Sequence, residues 1–183
     1  MMNKKQMFGI YIWEYKNFLD EKEIDKLIGS VQPNDLRTYQ YLTGNAKTTM
    51  GNMGGGGQNN FLDYHEDIEK KISKEWWVKD QRMSESWLSV QGKGSTLQWH
   101  CHPNSIISGL IYLKADEKSS KLFFQNPMSM EGEVYEIQPE TGLMLTWPSF
   151  LMHGSGTSIN DSEERIVLGF NSYWKGQSTI KGT

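Results

Sequence analysis

From about residue 84 onward the chain is cut into short runs of β-branched and aromatic residues. They read "SWLSV", "STLQWHCH", "SGLIYLK", "KLFFQN", "VYEIQP", "GLMLTW" and "RIVLGFNSYW". Turn-forming stretches separate them: Gly92-Lys93-Gly94, Glu117 to Ser120, Glu131-Gly132 and Gly154 to Ser162. About seven or eight strands at a spacing of roughly 8–12 residues predict a β-sandwich or barrel.

The N-terminal part has a different texture. Residues 7–15, "MFGIYIWEY", predict a strand. "DEKEIDKLIGSV" predicts a helix with Asp20 as N-cap, Glu23 completing a capping box, and Leu19 and Ile24 as a hydrophobic staple. Ile24, Leu27, Ile28 and Val31 recur at helical spacing. A second helix is expected at roughly 64–77, where Phe61, His65, Ile68, Ile72 and Trp76 form a stripe. His65 on that stripe reads as a packed side chain. Between the helices, "MGNMGGGGQNN" (50–60) has too few side chains to hold one conformation cheaply, so it reads as a surface loop or a lid over a site. It has no Gly-Lys-Ser/Thr ending and follows no apolar strand, which argues against a phosphate-binding loop. The expected organisation is a single domain, with a strand, helices and glycine-rich loop at 1–83 supporting a β core at 84–175.

Composition narrows the function classes. The 183-residue chain carries a formal charge of −3, which gives no electrostatic case for nucleic acid. One cysteine excludes an internal disulfide framework and a cysteine-based zinc finger. No apolar run reaches the roughly 18–20 residues of a membrane span, and "MMNKKQMFGI" lacks the apolar core of a signal peptide. The expectation is a soluble, cytoplasmic protein. Seven Trp, eight Tyr and seven Phe supply large side chains to bury.

The chemistry concentrates at "WHCHPNSIISGLIYL" (99–113), which holds His100 and His102, two of the four histidines of the chain. In a strand, alternate side chains share a face, so both imidazoles point one way with Cα atoms about 6–7 Å apart. Cys101 points the other way and reads as a small apolar residue. His153 follows "GLMLTWPSFLM", where a late strand can deliver a third nitrogen donor. Three histidines from two strands make a metal site with positions left open for water or substrate. Arg165 opens "RIVLGFN" and shares one strand face with Val167, Gly169 and Asn171. Facing the interior, it needs an anion, and its fork suits a carboxylate. The bland alternative is a surface ion pair with Glu163 or Glu164.

The segment from about 86 to 174 resembles the 2-oxoglutarate/Fe(II)-dependent oxygenases, and most closely a small branch with the pattern His-x-His-Pro-x-Ser-x-x-Ser-Gly-x-x-Tyr-Leu. Here that pattern is "HCHPNSIISGLIYL" (100–113), followed by "FQNP", "GLMLTWPSFLMHG" and "ERIVLGFN". "NFLDEKEIDKLI" is similar to the N-terminal part of prolyl-hydroxylase-like members. The resemblance implies a mainly β double-stranded β-helix, a cupin-like jelly roll, with the N-terminal strand and helices packed on it. It implies Fe(II) and 2-oxoglutarate as cofactors, with His100 and His153 as first and distal metal ligands. Arg165 would hold the far carboxylate of 2-oxoglutarate, with Tyr112 and Asn171 as further contacts. Trp87, Ser105 and Asn126 are candidates beside the substrate or behind the ligands.

One departure from the family pattern stands out. Most members have Asp or Glu two residues after the first histidine, and this chain has His102. Neither Asp nor Glu occurs between Glu85 and Asp116. Either His102 is the third ligand, or water takes that position and His102 stands behind it. The implied activity is hydroxylation of an unidentified peptide side chain or small molecule, consuming dioxygen and releasing succinate and CO₂. The alternatives are a three-histidine zinc hydrolase or lyase, a three-histidine iron dioxygenase that does not use 2-oxoglutarate, and a metal-binding jelly-roll module without activity.

Overall fold

A computed structural model describes residues 2–7, 9–50, 62 and 65–174. The strands are β1 (Met2–Met7), β2 (Ile10–Tyr15), β3 (Leu42–Thr43), β4 (Ala46–Thr48), β5 (Gln81–Gly92), β6 (Thr96–Leu97), β7 (Ile107–Lys114), β8 (Leu122–Gln125), β9 (Val134–Ile137), β10 (Met144–Pro148), β11 (His153–Gly154) and β12 (Glu164–Trp174). The helices are α1 (Glu21–Gly29) and α2 (Glu66–Lys74), with a 3₁₀ turn at Pro33–Asp35. Neither described helix is long and apolar enough to cross a membrane. The glycine-rich stretch expected to be a loop or lid lies outside the described residues, apart from Met50 at its start.

Two sheets face each other. The larger runs in the order β1-β2-β10-β7-β12-β5-β4 and the smaller in the order β11-β8-β9, every pairing antiparallel. This is one of the two architectures, sandwich or barrel, that the strand spacing predicts, and the jelly roll that the resemblance implies. Ile107 to Leu113 of β7 and Arg165 to Ser172 of β12 are buried without interruption. They are central strands covered on both faces, which explains why their sequence is nearly continuously apolar.

The alternation along these strands sorts two cores. Ile107, Ile111, Leu113, Ile166, Leu168 and Phe170 face outward and pack with Ile24 and Leu27 of α1 and Ile68 and Ile72 of α2. Leu110, Tyr112, Val167, Leu145 and Trp147 face inward, against Leu122, Phe124 and Ile137 of the smaller sheet. The polar residues of those inward faces are then the ones available for chemistry.

The predicted strand at 7–15 is one arm of a hairpin. Residue 9 turns with φ +75°, which glycine adopts without strain, and β1 pairs back along β2 from Met2↔Tyr15 to Met7↔Ile10. β2 then pairs with β10, so the N-terminal strand extends the larger sheet. At α1 the expected cap is present: Glu23 N donates to Asp20 Oδ1 at 2.9 Å, and Asp20 N to Glu23 Oε2 at 2.9 Å. Leu19 and Ile24 of the staple are both buried in the helix-side core. A nine-residue helix is marginal alone, so α1 depends on this cap and on its buried face. α2 is shorter at both ends than the expected 64–77. His65 is its N-cap residue, 4% exposed, with Nε2 2.9 Å from Ser30 Oγ at the end of α1. It ties helix to helix, as its place on the apolar stripe implies.

Candidate metal centre

The regular strand expected through "STLQWHCH" stops at Leu97. Beyond it the chain is held by individual bonds to the segment after β10. His100 N donates to His153 O (3.0 Å), His153 N to His100 O (2.9 Å), and His102 N to Ser149 O (2.9 Å). This isolated bridge does the work expected of a longer strand. It sets His100 and His102 on the same side and brings His153 beside them. Ring centroids are 5.0 Å apart for His100 and His102, 4.3 Å for His100 and His153, and 5.2 Å for His102 and His153. One ligand atom from each lies within 4.8 Å of the others, and this is the only such group of histidine, cysteine and carboxylate side chains among the described residues. Cys101, partly exposed, is not in the group.

The rings are oriented by their outer nitrogens. His100 Nδ1 is 2.8 Å from Gln98 O, and His153 Nδ1 is 2.9 Å from Leu151 O. A carbonyl only accepts, so each Nδ1 carries the proton and each Nε2 presents a lone pair to a metal. Burial holds all three imidazoles neutral, as metal binding requires. Desolvation lowers the His100 pKa. Desolvation and then the neighbouring His100 take His102 down to about 3. Desolvation, with both other histidines adding to it, takes His153 well below its ordinary value. Aromatic walls fix the cluster: Tyr41 stacks on His100 at 5.1 Å, Trp147 meets His153 edge-on at 4.9 Å, and Trp87 lies 5.7 Å from His102.

Arg165 is 2% exposed on the inward face of β12. Nη1 donates to Gln91 Oε1 at 2.6 Å, the guanidinium lies 5.2 Å from the Tyr112 ring, and Nε has no partner. The expected alternative, an ion pair with Glu163 or Glu164, does not form; Glu164 pairs with Lys114 instead. No described carboxylate pairs with Arg165, so a buried cation is left needing an anion. The Tyr112 hydroxyl is buried without a well-formed hydrogen bond. Burial raises its pKa, and the nearby Arg165 offsets part of that rise.

Asn171 sits between β5 and β7, opposite Glu85 on one side and Ser108 on the other. Its Oδ1 is 2.7 Å from Ser108 Oγ; its Nδ2 is 2.6 Å from Glu85 Oε1 and 3.2 Å from His102 Nδ1. Asn171 is therefore engaged with the His102 side of the site. Asn126 is occupied within its own turn: Nδ2 donates to Glu133 Oε2 at 2.7 Å and Oδ1 accepts from Met128 N at 2.9 Å. Ser105 N donates to His102 O at 3.1 Å, closing the turn after the second histidine. Of the aromatics, Trp76 and Trp147 are buried, and Trp77 stacks on Trp13 at 4.1 Å.

Sequence reasoning passed over Gln91, Glu85 and Tyr41. Gln91 and Glu85 share the strand parity of Trp87, which is the one signal that could have flagged them. Tyr41 carries no such signal.

Residues 85–171 match a family model described as "Putative 2OG-Fe(II) oxygenase". The match spans 87 of the 183 residues, and over that segment the chain is similar to the 2OG-Fe(II) oxygenases. The matched segment carries all three histidines, Arg165, Tyr112 and Asn171, and the family is one of oxidoreductases. No curated protein matches the sequence. Solved structures share the fold at low identity. A viral collagen prolyl hydroxylase from Paramecium Bursaria Chlorella virus-1, in complex with 2OG, is 15% identical with a TM-score of 0.56, over 90% of this chain and 96% of that one. An oxidoreductase of the 2OG-Fe(II) oxygenase family from Burkholderia pseudomallei is 11% identical with a TM-score of 0.66, over 88% and 83%. HygX from Streptomyces hygroscopicus, with nickel and 2-oxoglutarate bound, is 10% identical with a TM-score of 0.65, over 94% and 90%.

Proposed function

We propose that this oxygenase holds Fe(II) through His100, His102 and His153, and 2-oxoglutarate through Arg165. In this reading it hydroxylates a peptide side chain or a small molecule. The observation that carries the reading is Arg165, a buried guanidinium with no carboxylate partner and a free Nε. A dicarboxylate cosubstrate supplies the missing anion, and the unpartnered Tyr112 hydroxyl beside it supplies a further donor. The histidine cluster fits a divalent metal: its imidazoles are neutral, and two have their proton fixed on Nδ1 by backbone carbonyls. The zinc-hydrolase alternative leaves the buried arginine unexplained.

When bound, iron with 2-oxoglutarate and dioxygen supplies the oxidising power, releasing succinate and CO₂. The residues of the chain bind, orient and shield. Arg165 and Tyr112 take the far carboxylate. Gln91 holds the guanidinium fork at Nη1. Trp147 and Tyr41 exclude water from the faces of His153 and His100.

The test is anaerobic addition of Fe(II) and then 2-oxoglutarate to metal-free protein. A visible charge-transfer band that needs both additions and is lost in Arg165→Ala is the expected result. No band and no thermal stabilisation, with zinc alone binding tightly, would overturn the reading.

A further inference from the structure

Glu85 is a side chain with half of its bonding unfilled. It lies on the inward face of β5, opposite Asn171 and two residues from Trp87. Oε1 accepts from Asn171 Nδ2 at 2.6 Å, while Oε2 is shielded from solvent and has no donor. None of the ion pairs among the described residues uses it. The same amide nitrogen lies 3.2 Å from His102 Nδ1, so the carboxyl group stands one side chain away from the metal centre. A carboxylate removed from water needs donors for both oxygens and a counter-charge. The described residues supply one neutral amide donor and no counter-charge.

Three aromatic rings stand with it. Trp87 shares its strand face and lies 5.7 Å from His102. Tyr41 stacks on His100 at 5.1 Å, and Tyr39 meets Tyr41 edge-on at 5.6 Å. Burial raises the Tyr39 pKa, and the nearby Tyr41 and Glu85 raise it further, which places Tyr39 beside the carboxyl group. All four side chains are half-buried, so they form a border between solvent and the histidine cluster.

A π face attracts a cation. An acceptor oxygen without a donor, flanked by such faces, has the chemistry of an organic-cation site. A neutral apolar group placed there would leave Oε2 unfilled. The opposite charge lies well away. Arg165 is six residues from Asn171 on β12, about 20 Å on standard rise per residue, and faces Gln91 rather than Glu85. The interior is thus divided by sign, which keeps an anion bound at Arg165 and a cation bound at Glu85 from exchanging places.

We propose that Glu85, with Tyr39, Tyr41 and Trp87, binds the cationic group of the substrate, an ammonium or guanidinium carried by a basic peptide side chain or by a small free base, and so selects which molecule is brought to the metal. This rests on the metal centre of the proposed function and names the substrate class for that same site.

Calorimetry on the Zn(II)-loaded protein without 2-oxoglutarate tests it, using matched cationic and neutral probes. The peptide acetyl-Gly-X-Gly-amide carries arginine or its neutral counterpart citrulline at X, and lysine or norleucine. The free counterparts are pentylguanidinium with pentylurea, and pentylammonium with pentanol. At least one cation should bind roughly 10-fold or more tighter than its neutral counterpart, the worth of a hydrogen bond to a charged group. Glu85→Gln should erase that ratio. A preference confined to the peptides, or to the free bases, identifies the source of the cation. The ratio separates recognition from packing, because a structural disturbance shifts both members of a pair. Tyr39→Leu should cost the cations roughly 2–5-fold and the neutral probes nothing. No preference for any cation in the native protein, or a preference kept in Glu85→Gln, would overturn the proposal. Should Glu85→Gln fail to fold, an unchanged ratio in Tyr39→Leu overturns it as well. None of these measurements uses 2-oxoglutarate. If the cosubstrate fails to bind while the cation preference holds, the oxygenase chemistry falls and the cation site stands; if the cosubstrate binds and no cation is preferred, the reverse holds.

Discussion

Replacing the buried arginine should make the empty protein more stable and sharply diminish its response to 2-oxoglutarate. Arg165 is 2% exposed, with a 2.6 Å bond from Nη1 to Gln91 Oε1 and the Tyr112 side chain beside the guanidinium. A buried ion carries a desolvation penalty of several kcal/mol, and well-packed apolar replacements of buried ionic groups are often neutral or stabilising by about 1–4 kcal/mol. Arg165→Met alone would strand Gln91 Oε1, at about 1–3 kcal/mol. The informative variant is therefore Arg165→Met with Gln91→Met, expected to gain about 2 kcal/mol, or roughly 4–8 °C in Tm for a chain of this size. Native protein loaded with Mn(II) should gain about 2.7 kcal/mol when 2-oxoglutarate reaches 100 times its Kd, and the double variant should gain less than about 1 kcal/mol at the same concentration. Removing one partner of a desolvated charge pair weakens binding by about 2–5 kcal/mol, at least roughly 30-fold in Kd. Thermal unfolding with and without metal and cosubstrate reads both effects. A metal-free double variant destabilised by more than about 2 kcal/mol would refute the view of Arg165 as a stored, unneutralised charge. An undiminished 2-oxoglutarate shift would place the anchor elsewhere.

Gly169→Ala tests how closely Trp87 is set against β12. A Cβ there would lie 2.5–2.7 Å from the Trp87 indole, so the ring, 5.7 Å from His102, must shift, at about 1–3 kcal/mol of stability, with altered zinc binding by calorimetry. The buried histidines predict acid sensitivity of the metal-free protein. Their folded pKa values lie below the ordinary 6.5, so as pH falls through 6.5 the unfolded chain takes up protons first and stability drops. His153 is lowered furthest, so His153→Asn should reduce the stability lost between pH 6.5 and 5.5, read from urea unfolding, by about 1 kcal/mol. Glu85, raised by burial, acts in the opposite direction and is common to both proteins, so it drops out of the difference. Asp20→Ala removes the cap of α1 and should cost about 1 kcal/mol in chemical unfolding without altering metal affinity.

What could be read from the sequence was local. The Asp20–Glu23 capping box, the apolar stripes of α1 and α2, and the two-residue alternation that sets inward and outward faces of β7 and β12 all depend on residues a few positions apart. So does the shared side of His100 and His102. The later histidine came from its place after "GLMLTWPSFLM" and the arginine from strand parity; the fold sets His153 beside His100 and Arg165 on the inward side of β12. Tertiary structure alone decided the rest. The hairpin β1–β2 joins the larger sheet beside β10, a pairing that no local pattern announces. Arg165 lacks a carboxylate and meets Gln91, because the lateral register of β12 on β5 sets those two residues opposite each other. The same register carries Glu85, remote from His102 in the chain, to the amide that touches it. Periodicity determines which face a residue occupies. Which residues become neighbours across strands depends on a packing free energy summed over both cores, and that is why the groups around the ligands became visible only in the folded chain.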